Sequence, residues 1–139
     1  MSLLGIDVGT TGCTLLAVSR EGRLLAHAAR EYRPTPGAQG ACELDVREIW
    51  AALSDALRQV IATTNADPIH ALSISSAGEA ITPLSASARI LDVCILGQDT
   101  RGAEYIAQVE QTLGRERFFD ITGRVPGASH SLSKLCGLC

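Results

Sequence analysis

The first eighteen residues contain the feature that most limits the fold, two short apolar runs joined by a short polar turn. The runs are Leu3–Val8 and Cys13–Val18, and residues 9–12 between them read Gly-Thr-Thr-Gly. Both runs have the length of a β-strand, and so short a joint is typical of a hairpin. The sequence therefore predicts that the chain begins with an antiparallel β-hairpin.

Asp7 is an acidic residue within the first apolar run, two residues before the turn. We expect it to be buried and to need a partner, because burying a lone charge is costly. A metal ion, or the metal of a metal–nucleotide pair, would be one, and the turn offers backbone N–H groups and the hydroxyls of Thr10 and Thr11 to anionic oxygens. The alternative is that Asp7 only hydrogen-bonds its own turn and that the threonines are ordinary turn residues. The spacing fits neither a Walker A loop nor a dinucleotide fingerprint.

The bulk properties exclude several classes of protein. A length of 139 residues is typical of one domain, and a net charge of −3 with dispersed charges offers no nucleic-acid surface. No apolar run approaches the roughly 20 residues that span a bilayer, and the N-terminus has no signal-peptide core, so a cytoplasmic protein is expected. Five cysteines, an odd count, indicate reduced thiols, and the C-x-x-C of Cys136 and Cys139 has no second ligand pair for zinc.

The first half of the chain predicts a strand, a loop and a long helix. Arg23–Tyr32 reads as a third antiparallel strand, and residues 33–43 as a loop rich in proline and glycine. Asp45 and Glu48 form a predicted capping box before a helix. Its apolar stripe is Val46, Ile49, Trp50, Leu53, Ala56, Leu57, Val60 and Ile61. The spacing predicts that this stripe, including Trp50, is buried in the core.

The second half predicts a crossover and further helices. Ile69–Ser75 alternates as a strand, and the helix before it favours parallel pairing with an earlier strand. Glu79 follows at the carboxyl end of that strand, either as a ligand-binding group or as a solvent-facing loop residue. A second hairpin is expected over 80–96, then a helix over 99–113 for which Asp99 is a candidate N-cap. A helical turn over 116–121 and a helix from His130 complete the prediction.

Several of these segments together resemble the FGGY carbohydrate kinases, relatives of the actin-like ATPases. Gly5–Thr11 resembles the first phosphate motif of that family, and Asp45–Trp50 its acid-capped helix containing tryptophan. Gly97–Arg101 resembles a Trp-x-Asp-x-Arg segment, and residues 122–123 and 133–135 resemble the following Thr-Gly and the helix with lysine. The resemblance covers essentially the whole chain and is greatest to the xylulokinase-like branch. It implies an α/β, ribonuclease H-like (actin-like ATPase) fold, whose mixed sheet begins with three antiparallel strands.

The resemblance also implies a nucleotide site at the hairpin. Asp7 would lie near Mg²⁺ and the phosphates of ATP. Gly9, Thr10, Thr11 and Gly12 would line the phosphate turn. Thr14 stands where the family usually has lysine or arginine, so one phosphate-facing positive charge is missing.

The same resemblance implies a site for a sugar or polyol substrate. Glu79 falls where glycerol kinase-like members have a substrate-binding glutamate, whereas xylulokinase-like members carry Met-His-Gly there. Asp99 matches an acid beside the sugar hydroxyls, and His130 lies in a loop that helps to close the site. Gly78 lacks a side chain that some relatives use on substrate, and Gly97 replaces an aromatic residue.

The general base of the family, an aspartate, is expected beyond residue 139. Residues 1–139 are therefore expected to be the N-terminal part of the first kinase domain, without the C-terminal actin-like domain and without useful kinase activity. Apolar surface exposed in such a piece would favour a homodimer. Two alternatives stay open: a non-catalytic sugar-binding or assembly module derived from half a kinase, and another actin-like ATPase.

Overall fold

The structure, a computed structural model, describes residues 1–138. It divides into two compact units, one formed by Met1–Pro34 with Leu44–Ala77 and the other by Thr35–Glu43 with the residues from Gly78 onward. Within the described range, no helix combines the length and the apolar character that a membrane span requires.

The first unit is built on a four-stranded mixed sheet. Its strands are β1 (Ser2–Val8), β2 (Gly12–Ser19), β3 (Leu24–Glu31) and β6 (Ile69–Ser76), in the spatial order β3-β2-β1-β6. The first three pair antiparallel and β6 pairs parallel to β1, which confirms the predicted hairpin, third strand and crossover. Leu72 and Ile74 on the outer strand β6 remain 59% and 61% exposed.

Helix α1 (Val46–Thr63) packs against β2 and β3. Asp45 caps it as predicted, but its carboxylate accepts a hydrogen bond from the backbone N–H of Arg47, two residues on, and not from Glu48. Ala56 and Val60 are fully buried, whereas Trp50 is 68% exposed, so the prediction that Trp50 lies in the core is wrong. On a helix of 3.6 residues per turn, Trp50 points roughly 100° away from the mean direction of Ala56 and Val60.

The two faces of β1 differ in environment, and this corrects a second prediction. Ser2, Leu4 and Ile6 are buried, whereas Leu3, Gly5 and Asp7 are exposed on the opposite face. Successive side chains of a strand alternate between faces, so the odd-numbered position of Asp7 places it away from the core. Asp7 is therefore not a buried charge that requires a partner.

In the second unit, the segment predicted as a loop over 33–43 contains two short strands. β4 (Thr35–Pro36), β5 (Cys42–Leu44) and β7 (Cys94–Ile95) form a three-stranded sheet in that order, and a 3₁₀ turn covers Ala38–Gly40. The predicted second hairpin is present only as two isolated antiparallel bridges, Ile81 with Ile95 and Leu84 with Ile90.

Three helices follow. They are α2 (Ile106–Leu113), α3 (Arg115–Thr122) and α4 (Ser131–Leu138). The helix predicted from residue 99 starts only at Ile106, after a 3₁₀ turn over Ala103–Tyr105, because Gly102 adopts the left-handed conformation with φ of 83°. Asp99 is therefore not the N-cap of an α-helix.

Cys13, Cys42, Cys94 and Cys136 are free thiols, as predicted. Burial is the main influence on the Cys13 thiol, and it raises its pKa. Cys139, the second cysteine of the C-x-x-C pair, lies outside the described residues.

Candidate functional site

A cavity of about 730 Å³ lies at the turn between β1 and β2, in the first unit. Its lining includes Asp7, Gly9, Thr11, Gly12 and Thr14, five of the six residues predicted for nucleotide binding. Thr10, the sixth, belongs to the same turn but is not part of the lining. Asp7 and Thr14 are direct partners in the β1–β2 register, so the hairpin places a carboxylate and a hydroxyl side by side.

The turn is held in shape by Tyr32, a residue that the sequence analysis did not single out. The buried Tyr32 hydroxyl lies 2.8 Å from the carbonyl oxygen of Gly9 and 3.0 Å from that of Gly12. Its backbone N–H donates to the carbonyl oxygen of Thr11 at 3.1 Å. Three carbonyl groups of the turn are thus occupied by one residue. The only sequence signal was a tyrosine at the end of a predicted strand.

The close approach of the strands explains the glycine at position 12. A Cβ at Gly12 would lie 2.6 Å from the carbonyl oxygen of Arg30 on β3, closer than real Cβ contacts permit. Gly9 and Gly12 are joined by a hydrogen bond of 2.9 Å from the Gly9 N–H to the Gly12 carbonyl. The turn is therefore tight.

The residues of this cavity fit a magnesium–nucleotide better than a bare metal ion. Among residues 1–138, no group of three or more His, Cys, Asp or Glu side chains could hold a metal. Mg²⁺, however, is usually bound through one or two carboxylates together with substrate phosphates and waters. Asp7, exposed on the cavity side of β1, could supply such a carboxylate, and the hydroxyls of Thr11 and Thr14 could donate to phosphate oxygens.

In the second unit, the predicted residue Glu79 is the centre of a polar cluster. One carboxylate oxygen, Oε2, accepts hydrogen bonds from the backbone N–H of Ser131 at 2.6 Å and from its hydroxyl at 2.7 Å. The other, Oε1, accepts from the Arg124 guanidinium at 2.9 Å. Ser131 is the first residue of α4, so Glu79 provides an acceptor for the start of that helix. Neither Arg124 nor Ser131 was singled out from the sequence.

Glu79 has an uncommon backbone conformation and a lowered side-chain pKa. Its φ of 59° lies in the left-handed region, which is uncommon for a residue with a side chain. The backbone and hydroxyl hydrogen bonds from Ser131 lower the pKa of its carboxyl group, and the positive charge of Arg124 acts in the same direction. The residue is therefore ionised at neutral pH and fixed in direction.

We expect replacement of Glu79 by alanine to lower the free energy of unfolding by about 1–2 kcal/mol, because the first turn of α4 loses its acceptor. The lowered pKa makes this contribution present above the pKa of an unfolded glutamate, about 4.3, and lost as the pH falls through the lower folded value. Urea denaturation of both chains at pH 7 and in strong acid measures the difference. Glu104→Ala, at an exposed glutamate of the same unit, is the control; an equal effect there would contradict the prediction.

His130 lies against Glu79 but does not form a hydrogen bond with it. His130 Nε2 lies 2.7 Å from the carbonyl oxygen of Val125, and because a carbonyl only accepts, this nitrogen carries the proton. Nδ1 is 3.6 Å from Glu79 Oε1, and the ring packs edge-on against Phe118 with centroids 5.7 Å apart. A Cβ at Gly78 would meet no atom within 4 Å, so there is open space beside the Glu79 backbone.

Asp99, also predicted to contact substrate, is fully buried, with a relative exposure of 0%. Its carboxylate accepts from the backbone N–H groups of Cys42 and Arg101 at 2.8 and 3.0 Å, and from the guanidinium of Arg101 at 2.6 Å. The guanidinium also forms an ion pair with Glu43 at 2.6 Å. Each oxygen of Asp99 accepts at least two hydrogen bonds from Cys42 and Arg101, so in this structure its carboxylate is engaged within the protein.

Lys134 supports the loop that carries His130. Its side chain is buried, and Nζ donates to the carbonyl oxygen of Ser129 at 2.8 Å and to that of Ala128 at 3.3 Å. Desolvation lowers the pKa of this amine, although the charges of Glu79 and Asp99 oppose the shift. Lys134 therefore binds carbonyl groups of the 128–129 segment, and Glu79 binds the following Ser131.

Comparison of the amino-acid sequence with known proteins relates this chain to one protein family. Residues 2–138 match the N-terminal domain of the FGGY family of carbohydrate kinases. The glycerol kinase of Methylorubrum extorquens (strain PA1) is 32% identical over 136 residues, which are 96% of this chain and 27% of that protein. The chain spans about a quarter of the length of the curated relatives that it matches.

Solved structures show the same fold. A xyloylose kinase from Brucella ovis superposes with a TM-score of 0.88 at 26% identity, covering 97% of this chain and 28% of that one. A xylulose kinase from Rhodospirillum rubrum gives a TM-score of 0.88 at 20% identity, with the same coverage of 97% and 28%, and supports the fold alone. The predicted α/β, actin-like fold is confirmed, and the described residues form part of that domain.

Proposed function

Because the chain belongs to the FGGY family of carbohydrate kinases, we propose that, in a protein of its relatives' length, it takes part in ATP-dependent phosphorylation of a sugar or polyol hydroxyl. The family predicted from the motifs is confirmed by the match over residues 2–138. The observation that carries the proposal is the cavity beside the β1–β2 turn, where Asp7, two threonines and two glycines of the predicted nucleotide site lie together.

The residues of the first unit would align and neutralise the phosphates of ATP. Phosphoryl transfer depends chiefly on positioning and on stabilisation of charge. Asp7 would hold Mg²⁺, which would supply positive charge for the phosphates. The turn of Gly9, Thr10, Thr11 and Gly12 would surround the phosphates, with the hydroxyls of Thr10 and Thr11 as hydrogen-bond donors. Thr14 would contribute a hydroxyl in place of the usual basic side chain.

The residues of the second unit would bind the substrate. Glu79, ionised and fixed at the start of α4, would accept a hydrogen bond from a substrate hydroxyl through the acceptor site that remains on Oε1. The open space at Gly78 would admit a larger portion of the substrate, and His130 would border it. Asp99 would not contact the substrate directly. It would instead hold Arg101, and the segment that carries Arg101, in position.

We further propose that residues 1–139 correspond to the N-terminal part of the first kinase domain, and that the general base lies in a part of the relatives which this chain does not cover. On this proposal, the 139-residue chain alone has no useful kinase activity. Sugar-dependent turnover of ATP by the purified chain would contradict that part of the proposal.

The test is a calorimetric titration of the chain with pentuloses, hexuloses and polyols, with and without magnesium–ATP. We expect saturable binding of one of them, weakened about tenfold or more by Glu79→Gln, since a hydrogen bond to a charged acceptor is lost. Glu104→Gln is the matched control and should bind as the wild type does. Asp7→Asn should weaken magnesium–ATP without changing the affinity for the sugar.

A second function is favoured by one observation, the threonine at position 14 where the family usually has a cation. A non-catalytic sugar-binding module would bind a sugar but no nucleotide, and Asp7→Asn would then have no effect on either titration. Binding of nucleotide without any sugar or polyol would instead favour another ATPase of the actin-like group.

A further inference from the structure

The cavity at the β1–β2 turn has two arginines in its lining, although the expected cation at position 14 is missing. The arginines are Arg30, the penultimate residue of β3, and Arg33, which follows that strand. Asp7 and Glu31 supply negative charge to the same lining. A polyanion would enter such a cavity only if a cation there were available to it.

Arg30 is not available, because its guanidinium is already engaged. Its Nε donates to Asp55 Oδ2 at 2.7 Å and its Nη2 to Gln59 Oε1 at 2.8 Å, both on α1. Its Nη1 donates to the carbonyl oxygen of Ala29 at 2.7 Å. In the β2–β3 register Arg30 is opposite Cys13, which is buried on the face of the sheet that α1 covers. Arg30 therefore ties the sheet to the helix.

The guanidinium of Arg33, unlike that of Arg30, is not engaged by other groups in the part of the chain that the structure describes. Its side chain is exposed, and within residues 1–138 its guanidinium forms no hydrogen bond and no ion pair. Its position is nevertheless fixed, because the preceding residue, Tyr32, is bonded through its hydroxyl and its backbone N–H to three carbonyl groups of the turn. The cavity therefore has an unengaged cation anchored directly beside the phosphate turn.

We propose that Arg33 binds the phosphate groups of the nucleotide in this cavity and supplies the positive charge that Thr14 does not. The inference rests on the proposed function, since it requires that the cavity receives phosphates. A guanidinium suits this task because its planar set of donors matches two oxygens of one phosphate. Tyr32 is the positioning residue, as it joins the backbone of Arg33 to the turn.

The test measures binding and not activity. The ¹⁵N-labelled 139-residue chain is titrated with magnesium–ADP and with inorganic tripolyphosphate, and Kd is obtained from backbone amide shifts. We expect Arg33→Gln to raise both Kd values about tenfold. Arg20→Gln, which removes the same charge from the β2–β3 turn, should leave them unchanged. In the Arg33→Gln chain, Thr14→Lys should restore most of the affinity, since it returns a cation to the same cavity.

The outcomes separate the two proposals. If the wild type binds and Arg33→Gln binds with the same Kd, the assignment of Arg33 is overturned while the proposed phosphate site stands. An equal loss in Arg20→Gln would also overturn it, because it would indicate general attraction by net charge. No binding of either ligand by the wild type would contradict the phosphate site and Arg33 together. The amide spectra report, in the same experiment, whether each variant is folded.

Discussion

Replacing Asp99 by asparagine is expected to lower the free energy of unfolding by about 3 kcal/mol, the low end of the cost of breaking a buried ion pair, because Asp99 is buried but the Arg101 side chain is 37% exposed. Asp99 is fully buried and accepts hydrogen bonds from Arg101 and from the Cys42 N–H. An amide retains the size but removes the charge and one acceptor, so the guanidinium of Arg101 keeps only its ion pair with Glu43. Urea denaturation of the wild type and the variant measures the difference.

The pH dependence gives an independent check. Burial alone would raise the pKa of Asp99, but the hydrogen bonds from Arg101 and Cys42 outweigh it and hold the pKa below its ordinary value. A lowered folded pKa means that the stabilisation is present above the unfolded value of about 3.9 and is lost as the pH falls through the folded value. The difference in the free energy of unfolding between the wild type and Asp99→Asn should therefore disappear in acid.

Asp120→Asn, at an exposed aspartate of α3, is the matched control and should change the free energy of unfolding by less than about 0.5 kcal/mol. A loss of similar size in both variants would show that Asp99 has no special structural function. If Asp99→Asn is stable but binds sugar more weakly, the direct contact predicted from the sequence would be favoured over the positioning function.

Replacing Gly102 by alanine is expected to cost about 3 kcal/mol or more, from a backbone clash added to conformational strain. Gly102 has a φ of 83°, and a Cβ there would overlap the carbonyl oxygen of Ser133 and lie 2.7 Å from its carbonyl carbon. Ser133 belongs to α4, whose first turn is bonded to Glu79. The substitution should therefore displace α4 and weaken sugar binding as well as lower the denaturation midpoint.

A matched substitution at Gly22 separates the effect of conformational strain from that of the backbone clash. It has the same φ of 83°, but a Cβ there would meet no atom within 4 Å. Gly22→Ala should therefore show only the strain, about 1 kcal/mol. If the two substitutions lower the denaturation midpoint equally, the clash with Ser133 is not what requires glycine at position 102.

Several elements of the fold could be predicted correctly because their signals lie within a short stretch of sequence. The hairpin of β1 and β2, the cap at Asp45 and the crossover to β6 were all predicted, because strand length, turn length and helical periodicity are properties of neighbouring residues. The order of short motifs along the chain also indicated the family, which residues 2–138 match.

Which of those residues are buried, and what they contact, depends on packing between segments that are distant in the sequence. Helical periodicity predicts which face of α1 is apolar, but it does not predict how much of that face the sheet covers. Trp50 was therefore predicted to be buried, although it is exposed. Asp7 was expected in the core because its neighbours are apolar, but the solvent exposure of its face of β1 depends on packing outside that strand.

The same reason applies to the partners of the polar residues. Asp99 reaches Cys42 across 57 positions, and Glu79 reaches Ser131 across 52, so no local pattern could show that their carboxylates are engaged. The sequence did not indicate the importance of Tyr32 and Arg33 either, because it comes from their position beside a turn that lies 20 or more residues earlier in the chain. The sequence thus indicated the family and the main elements of the first unit, while contacts between distant segments decided which side chains are free to bind a ligand.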